Sequence, residues 1–150
     1  MGIKVIADNR KARFNYEILD KLEVGLMLQG SEVKSLREGR ANLGDGYAKF
    51  NGAGGTLCSV HISPYSHGGY SNHEPLRPRK ILLHKRELLK WVGKLKNKGL
   101  TVVPLKLYFN EKGLVKCELA LARGKKVHDK RESLKKKDLD REAQAAMKNR

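Results

Sequence analysis

The sequence contains few cysteines and no long hydrophobic run. Two cysteines, Cys58 and Cys117, in 150 residues are too few for a disulfide framework or a four-ligand zinc site. No segment approaches the roughly 18 consecutive apolar residues that a transmembrane helix needs. The first residues lack the apolar core of a secretory signal, and Ile6 breaks the myristoylation pattern. We therefore expect a cytoplasmic protein without a membrane partner, with both cysteines in its core.

The sequence patterns of catalytic and metal sites are also missing. There is no Gly-rich phosphate loop and no GxSxG nucleophile elbow. The histidines lack metal-ligand spacing, although His67, His73 and Glu74 share one segment, which leaves a weak metal site as an alternative to solvated side chains. His61 lies on a predicted strand, where it is either a structural histidine or an RNA contact. The sequence predicts no enzyme, no cofactor and no metal.

Acidic residues are scarce relative to basic ones. The chain has 32 Lys and Arg against 16 Asp and Glu, a formal net charge of +16. Solubility alone is usually met by a net charge of about 2–8 in a small domain. A field this positive attracts polyanions. Nucleic acid is the first candidate, and an anionic membrane surface, which requires a basic amphipathic element, is the second.

The charge and the hydrophobic residues divide the chain near residue 123. Residues 123–150 hold 11 Lys and Arg and 5 Asp and Glu, with no aromatic residue, so this segment cannot bury enough surface to offset its ordering entropy. Its second half nevertheless places Leu139, Ala143, Ala146 and Met147 on roughly one helical face. We predict a folded domain at 1–122 and a basic tail at 123–150 that is disordered when free and helical when bound.

The folded part is predicted to be mainly β with attached helices. Apolar residues alternate with charged ones over 16–28, and alternation over 103–109 and 115–121 flanks the turn NEKG, which predicts a hairpin. A second hairpin is predicted around NGAGG. A short helix over 31–38 with Ser31 as N-cap, a loop over 63–80 and a helix over 85–98 complete the pattern. Such short strands favour a small antiparallel β-barrel of the OB type, or a sandwich.

Basic clusters with neighbouring aromatic residues are the positive functional signal. Cations neutralise phosphates, and rings stack on unpaired bases. Each cluster alone is typical of a solvated surface, but together they favour nucleic acid. Glu32 is open to two interpretations: compensation of a helix dipole, or a hydrogen-bond acceptor for RNA. The clusters are Arg10, Lys11 and Arg13 beside Phe14 and Tyr16; Lys34, Arg37 and Arg40; Arg77, Arg79 and Lys80; and Lys125, Lys126, Lys130 and Arg131.

Six segments give the sequence a family resemblance: NRKARFNYEI, GSEVKSLREGRANLGDGYAKF, HISPY, RPRKILLHKREL, KGLTVVPLKLYFNEKGLVKCELALARGKK and HDKRE. In this order, over residues 9 to about 132, they resemble the small protein B family, the SsrA-binding proteins of bacteria. The resemblance implies an OB-type barrel that binds the tRNA-like domain of transfer-messenger RNA. It also implies a monomer, delivered with elongation factor Tu and GTP through the charged RNA to stalled ribosomes, where it catalyses no bond change.

The resemblance also implies roles for particular residues. The tail would enter the mRNA channel of the small subunit and become helical, with Gly124, His128, Asp129, Lys130 and Arg131 at the decoding centre. It favours the RNA-binding interpretation of Glu32. The remaining alternative is a generic basic RNA-binding or ribosomal protein. The implied RNA-binding residues are Asn9, Arg10, Lys11, Arg13, Tyr16, Glu32, Lys34, Arg37, Asn42, Arg77, Arg79, Lys80, Lys125 and Lys126.

Overall fold

The computed structural model describes residues 2–67 and 72–125. Within them the chain forms nine strands and three helices. No helix in these ranges is long and apolar enough to cross a membrane. The elements in chain order are β1 (Lys4–Asp8), α1 (Arg10–Asn15), β2 (Tyr16–Leu26), α2 (Gly30–Arg37), β3 (Ala41–Asn42), β4 (Tyr47–Asn51), β5 (Gly54–Cys58), β6 (His61–Ile62), β7 (Arg79–Leu82), α3 (Lys85–Lys94), β8 (Leu100–Phe109) and β9 (Val115–Gly124).

The strands pair in antiparallel fashion, and the main sheet returns to its starting strand. Its order is β1-β8-β4-β5-β7-β2-β9, and β8 pairs with β9 as well. The pairings therefore run in a circuit from β8 through β4, β5, β7, β2 and β9 back to β8, with β1 added along β8. Strands β3 and β6 form a separate two-stranded pair.

The alternation seen in the sequence places the core side chains as predicted. In β2 the outward Glu17 and Glu23 are exposed, whereas Val24 is buried. Strands β8 and β9 pair over most of their length, and Leu107 lies opposite Cys117 with both side chains fully buried. Full burial of each such apolar side chain stabilises the fold by about 1.5–3 kcal/mol. The prediction of a mainly β protein with attached helices is confirmed.

Helix α3 covers one side of the sheet. Trp91 is 2% exposed and meets the ring of Phe50 edge to face at 6.2 Å between centroids. The expectation of two core cysteines is correct for Cys117, where burial raises the pKa of the thiol to about 12. Cys58, at the end of β5, is only half-buried. Both thiols are free.

Helix boundaries differ from the prediction for local reasons. Helix α3 ends at Lys94 rather than at 98, because Lys96 and Asn97 donate to carbonyls three residues back, in tighter turns that lead to Gly99 at a φ of 83°. Helix α2 begins at Gly30, capped by Gln29. Ser31, the predicted N-cap, instead uses its hydroxyl to bond His73 at 2.8 Å.

Four elements were not predicted, one of which is the two-residue strand β3. Helix α1 is six residues long, too short to display an apolar period, and the sequence presents it only as a basic cluster. Strand β1 pairs along β8. Strand β7 begins at Arg79, inside the predicted loop over 63–80, and pairs with both β5 and β2. Its alternation is hidden because the inward position at its start is occupied by a charged residue, Arg79.

The last strand extends past the predicted domain boundary at residue 122. Arg123 and Gly124 belong to β9, and the backbone N–H of Lys125 donates to the carbonyl of Asn15 at 2.9 Å. The other predicted tail residues, including Lys126, His128, Asp129, Lys130 and Arg131, lie outside the described residues.

Candidate nucleic-acid interface

Asn9 builds the start of helix α1. Its side-chain oxygen accepts from the N–H of Ala12 at 3.1 Å, which caps the helix. Its amide nitrogen donates to the carbonyls of Leu43 at 3.1 Å and Pro104 at 2.8 Å. The side chain is 3% exposed. Asn9 therefore joins α1 to β8 and to the segment before β4.

The cations of α1 point away from this anchor. Arg10, Lys11 and Arg13 are all exposed. Lys11 meets Asp45 at 3.4 Å and Arg13 meets Asp8 at 3.4 Å, in pairs whose side chains are 41–86% exposed. Pairs exposed to this degree are weak and open readily. The three cations are therefore available to a phosphate backbone.

The first residues of the predicted tail lie beside α1. Tyr16 pairs with Gly124 across the β2–β9 ladder, and Lys125 bonds to Asn15 one residue earlier. A groove of about 390 Å³ opens here between α1 and the start of β4, lined in part by Lys11, Tyr16 and Tyr47. Tyr16 and Lys125 are half-buried. Because of the pairing and the hydrogen bond described above, the predicted RNA-binding residues of α1 and of the start of the tail lie close together.

Helix α2 presents a second group of cations. Lys34 and Arg37 are exposed, one turn apart. The Lys34 ammonium lies 5.5 Å from the centre of the Tyr65 ring, which in turn meets the ring of His67 edge to face at 5.5 Å. Sequence reasoning did not single out this aromatic pair. The signal was present in the HISPY segment, which places a ring three residues after the buried strand position Ile62.

Hydrogen bonds hold the segment that carries the rings of Tyr65 and His67 in place. Asn72 brackets Tyr65, accepting from its N–H at 2.8 Å and donating to its carbonyl at 2.7 Å. His73 is buried, with Nε2 2.9 Å from the Ile62 carbonyl and Nδ1 2.8 Å from the Ser31 hydroxyl. Both ring nitrogens are thus engaged, so His73 is a structural histidine and not a free ligand for the metal site considered from the sequence.

Strand β3 holds Asn42 opposite His61. Both side chains are exposed. Asn42 accepts from the N–H of Gly44 at 2.8 Å, which shapes the turn that carries Asp45 toward α1. Because His61 is exposed, the interpretation of His61 as a structural histidine is disfavoured. Its side chain lies next to that of Asn42 on the same two-stranded sheet.

Glu32 lies at the centre of a buried ion cluster. One carboxylate oxygen accepts from Arg77 Nη2 at 2.5 Å and from the Gln29 N–H at 2.8 Å. The other accepts from Nε of Arg79 at 2.6 Å and forms an ion pair with Nη2 of the same guanidinium, also at 2.6 Å. Burial alone would raise the pKa of Glu32, but the hydrogen bonds from Arg77 and Gln29 and the charge of Arg79 outweigh it, and hold that pKa below its ordinary value.

Arg79 is buried as deeply as Glu32. Besides the carboxylate, it donates to the carbonyls of Val60 at 2.5 Å and Pro75 at 3.1 Å. Burial lowers the pKa of Arg79 while the Glu32 carboxylate raises it. An arginine stays protonated in proteins. Arg79 therefore joins α2, β7 and two connecting segments through one guanidinium.

Three of the predicted RNA-binding residues are buried in the structure. Asn9, Glu32 and Arg79 are 3%, 0% and 0% exposed, and their polar atoms are satisfied within the protein. Their physical role is to position α1, α2 and Arg77. The other predicted residues among those described are exposed or half-exposed: Arg10, Lys11, Arg13, Tyr16, Lys34, Arg37, Asn42, Arg77, Lys80, Gly124 and Lys125.

Replacing Lys34 with Gln is expected to make the salt dependence of RNA binding shallower by about one unit of log K against log salt, because one phosphate contact releases about one counterion. Arg37→Gln should do the same. The measurement is the dissociation constant for RNA between low and moderate salt. Lys112→Gln, at an exposed position in the β8–β9 turn, is the matched control. An unchanged slope excludes the contact at that residue.

The fold and the two groups of cations define a class: a small, mainly β nucleic-acid-binding protein. Its sequence matches the family model described as SmpB protein over residues 6–149. The chain belongs to the SmpB family.

Several SsrA-binding proteins are similar in sequence to this chain over nearly its whole length. It is 56% identical to an SsrA-binding protein of Thermosynechococcus vestitus, covering 99% of this chain and 98% of that one. It is 53% identical to one of Trichodesmium erythraeum, covering 98% and 94%, and 57% identical to one of Bartonella henselae, covering 93% and 88%. A solved chain described as "tmRNA-SmpB: a journey to the center of the bacterial ribosome" is 48% identical, with a TM-score of 0.70, over 85% of this chain and 93% of that one.

Proposed function

We propose that this protein binds the tRNA-like domain of transfer-messenger RNA and brings it to stalled ribosomes for trans-translation. The observation that carries the proposal is membership of the SmpB family over residues 6–149. It is supported by 48% identity to the chain of the tmRNA–SmpB structure in the bacterial ribosome. The exposed cations of α1 and α2 suit the phosphate backbone of a folded RNA. The SmpB family consists of RNA-binding adaptors and not of enzymes, in agreement with the expectation from the sequence.

The finer architecture belongs to the same proposal. The circuit of pairings through β8, β4, β5, β7, β2 and β9 supports an OB-type antiparallel barrel as the RNA-binding body. The basic tail is then a separate functional unit, disordered when free and helical in the mRNA channel of the small subunit. Residues Gly124, His128, Asp129, Lys130 and Arg131 of this unit contact the decoding centre.

The remaining partners follow from the RNA. Elongation factor Tu with GTP reaches the complex through the aminoacylated RNA and not through a direct contact with this chain. The protein acts as a monomer in the cytoplasm. The net charge of +16 speeds its association with both RNAs.

Competition with bulk tRNA distinguishes the specific adaptor from a generic basic RNA-binding protein. Labelled tRNA-like domain is bound to the full chain, and unlabelled competitor is titrated at constant salt, because salt alone changes the affinity. Bulk tRNA is expected to be at least about tenfold less effective than the unlabelled domain, in line with the gap between specific and non-specific binding. Equal displacement by the two RNAs contradicts the proposal.

A further inference from the structure

The Glu32 cluster contains more positive than negative charge. One buried carboxylate faces two guanidinium groups, those of Arg77 and Arg79. Arg79 is 1% exposed at its side chain, whereas the side chain of Arg77 is 28% exposed. The excess cation therefore reaches the surface at Arg77. Since its Nη2 is held by Glu32 and by the carbonyl of Met27 at 3.3 Å, the guanidinium is fixed in position before any ligand arrives.

One donor of this guanidinium has no acceptor. Arg77 Nε is buried and lacks a hydrogen-bond partner among the described residues. An unpaired buried donor is unfavourable, and more so when it belongs to a charged group. The charge of this guanidinium is therefore only partly compensated within the cluster, and an anionic oxygen at its exposed part compensates the remainder.

A groove of about 380 Å³ opens beside Arg77. It lies between the β4–β5 turn and the beginning of β7, and Lys80 lines it as well. None of the described residues that line the groove is acidic. The charged side chains among the described lining residues, Arg77 and Lys80, are both cationic, which favours an anionic group in this space.

The strand register places another lysine on the sheet face that carries Thr56 and Lys80 of the groove. Thr56 on β5 lies opposite Lys49 on β4 and opposite Lys80 on β7. Residues directly opposite in antiparallel strands place their side chains on the same face of the sheet. Both lysines are exposed, so Lys49, Thr56 and Lys80 form a row across three strands on the outer face.

We propose that this groove binds one backbone phosphate of the RNA, held by Arg77 and Lys80, while Glu32 and Arg79 are positioning residues that do not touch RNA. The proposal rests on the proposed function, since it assigns a contact within that complex. It accounts for a fully buried glutamate within an RNA-binding surface: its negative charge anchors the arginine that contacts the phosphate. A planar guanidinium that is already oriented loses less entropy on binding than a free one.

Ethylation interference tests the phosphate contact directly. Transfer-messenger RNA fragments carrying random ethylated phosphates are bound to the full chain, and the bound and free fractions are compared position by position. The double variant Arg77→Gln, Lys80→Gln is expected to lose interference at one phosphate and to keep it elsewhere. Each single variant should weaken binding about tenfold, the usual size for a charge-assisted hydrogen bond. Lys112→Gln is the matched control for loss of one positive charge.

The outcomes separate this proposal from the proposed function. If the double variant keeps the complete interference pattern of the unmodified chain, the groove does not bind a phosphate, although the protein still binds the RNA. If the unmodified chain fails to select the tRNA-like domain over bulk tRNA, the proposed function is wrong. Lys80 is exposed and alternates with buried neighbours in β7, so Lys80→Gln folds and gives a result by itself.

A double-mutant cycle tests the positioning role of Glu32. Glu32→Gln keeps the shape of the side chain but removes its charge. If Glu32 acts through Arg77, this change weakens binding about tenfold in the unmodified chain and adds little when Arg77 is already Gln. Independent losses that multiply in the combined variant contradict the positioning role. Near-ultraviolet circular dichroism of each variant verifies that the proteins compared are folded.

Discussion

Deletion of residues 126–150 is expected to abolish peptide tagging on stalled ribosomes while leaving the affinity for the tRNA-like domain within a few-fold. The truncated chain retains β9 complete to Gly124 and the bond from Lys125 to Asn15. It also retains the exposed cations of α1 and α2, which are proposed to contact the folded RNA. The lost segment is the one proposed to occupy the mRNA channel. The measurements are the dissociation constant for the RNA fragment and the yield of tagged peptide in a reconstituted stalled complex.

The deletion should begin at residue 126, and it needs a control chain that keeps the charge of the tail. A cut after residue 122 would remove Arg123 and Gly124 from their pairing with β2 and β8, which mixes loss of the tail with damage to the sheet. A chain with residues 126–150 in permuted order keeps the charge and is expected to fail like the deletion. Tagging by the deleted chain contradicts the proposed role of the tail. Tagging by the permuted chain shows that charge alone suffices.

Glu32→Ala is expected to destabilise the folded protein by about 3–5 kcal/mol, because removing one partner of a buried ion pair leaves the other charge uncompensated. Here two arginines lose their counter-charge at once. Small domains have a total stability of only about 5–15 kcal/mol, so the variant is expected to unfold at much lower denaturant concentration. Chemical denaturation of both proteins at pH 7 gives the difference. Lys34→Ala, on the exposed face of the same helix, should change stability by less than about 0.5 kcal/mol.

The same carboxylate predicts the sign of a pH effect. Because the pKa of Glu32 is lowered in the folded state, its contribution to stability is complete above the ordinary glutamate pKa of 4.5 and decreases as the pH falls below it. The stability difference between the unmodified chain and Glu32→Gln should therefore shrink in acid. The Lys94 hydrogen bond likewise lowers the pKa of Asp20, but that group titrates in both proteins and cancels. A difference that stays constant down to pH 3 contradicts this account.

The long strands were predictable because their period is local. Alternation through β8 and β9 appears in the sequence itself, and the turn NEKG joins them, with Gly113 at a φ of 78°. The Glu32 cluster was not predictable in this way. Glu32 and Arg79 are 47 residues apart, and each is a charged residue that composition assigns to the surface. Only tertiary packing brings them together and buries them.

The residues of the nucleic-acid interface could likewise be predicted only in part from the sequence. The basic segments and the family resemblance supplied the candidate RNA-binding residues. They did not distinguish exposed contacts from anchors, since Asn9 and Arg10 are neighbours in sequence yet one is buried and the other exposed. The cap that Asn9 provides depends on carbonyls of Leu43 and Pro104, which no local pattern reports. Residue type indicates the chemistry, whereas burial decides whether a side chain binds a partner or supports one that does.

The pairing of β2 with β9 also determines when this protein can fold during its synthesis. Tyr16 pairs with Gly124, and nine registered positions join the two strands. A contact across such a long stretch of chain carries a large loop-closure cost and slows folding. Strand β2 therefore waits for its partner until almost the entire chain has been made. Before then, the strand that β2 can pair with is β7, and the register between these two strands covers only Gly25 and Leu26 of β2. The nascent chain accordingly exposes unpaired strand edges until β9 arrives, and β9 is the element that completes the sheet among the described residues.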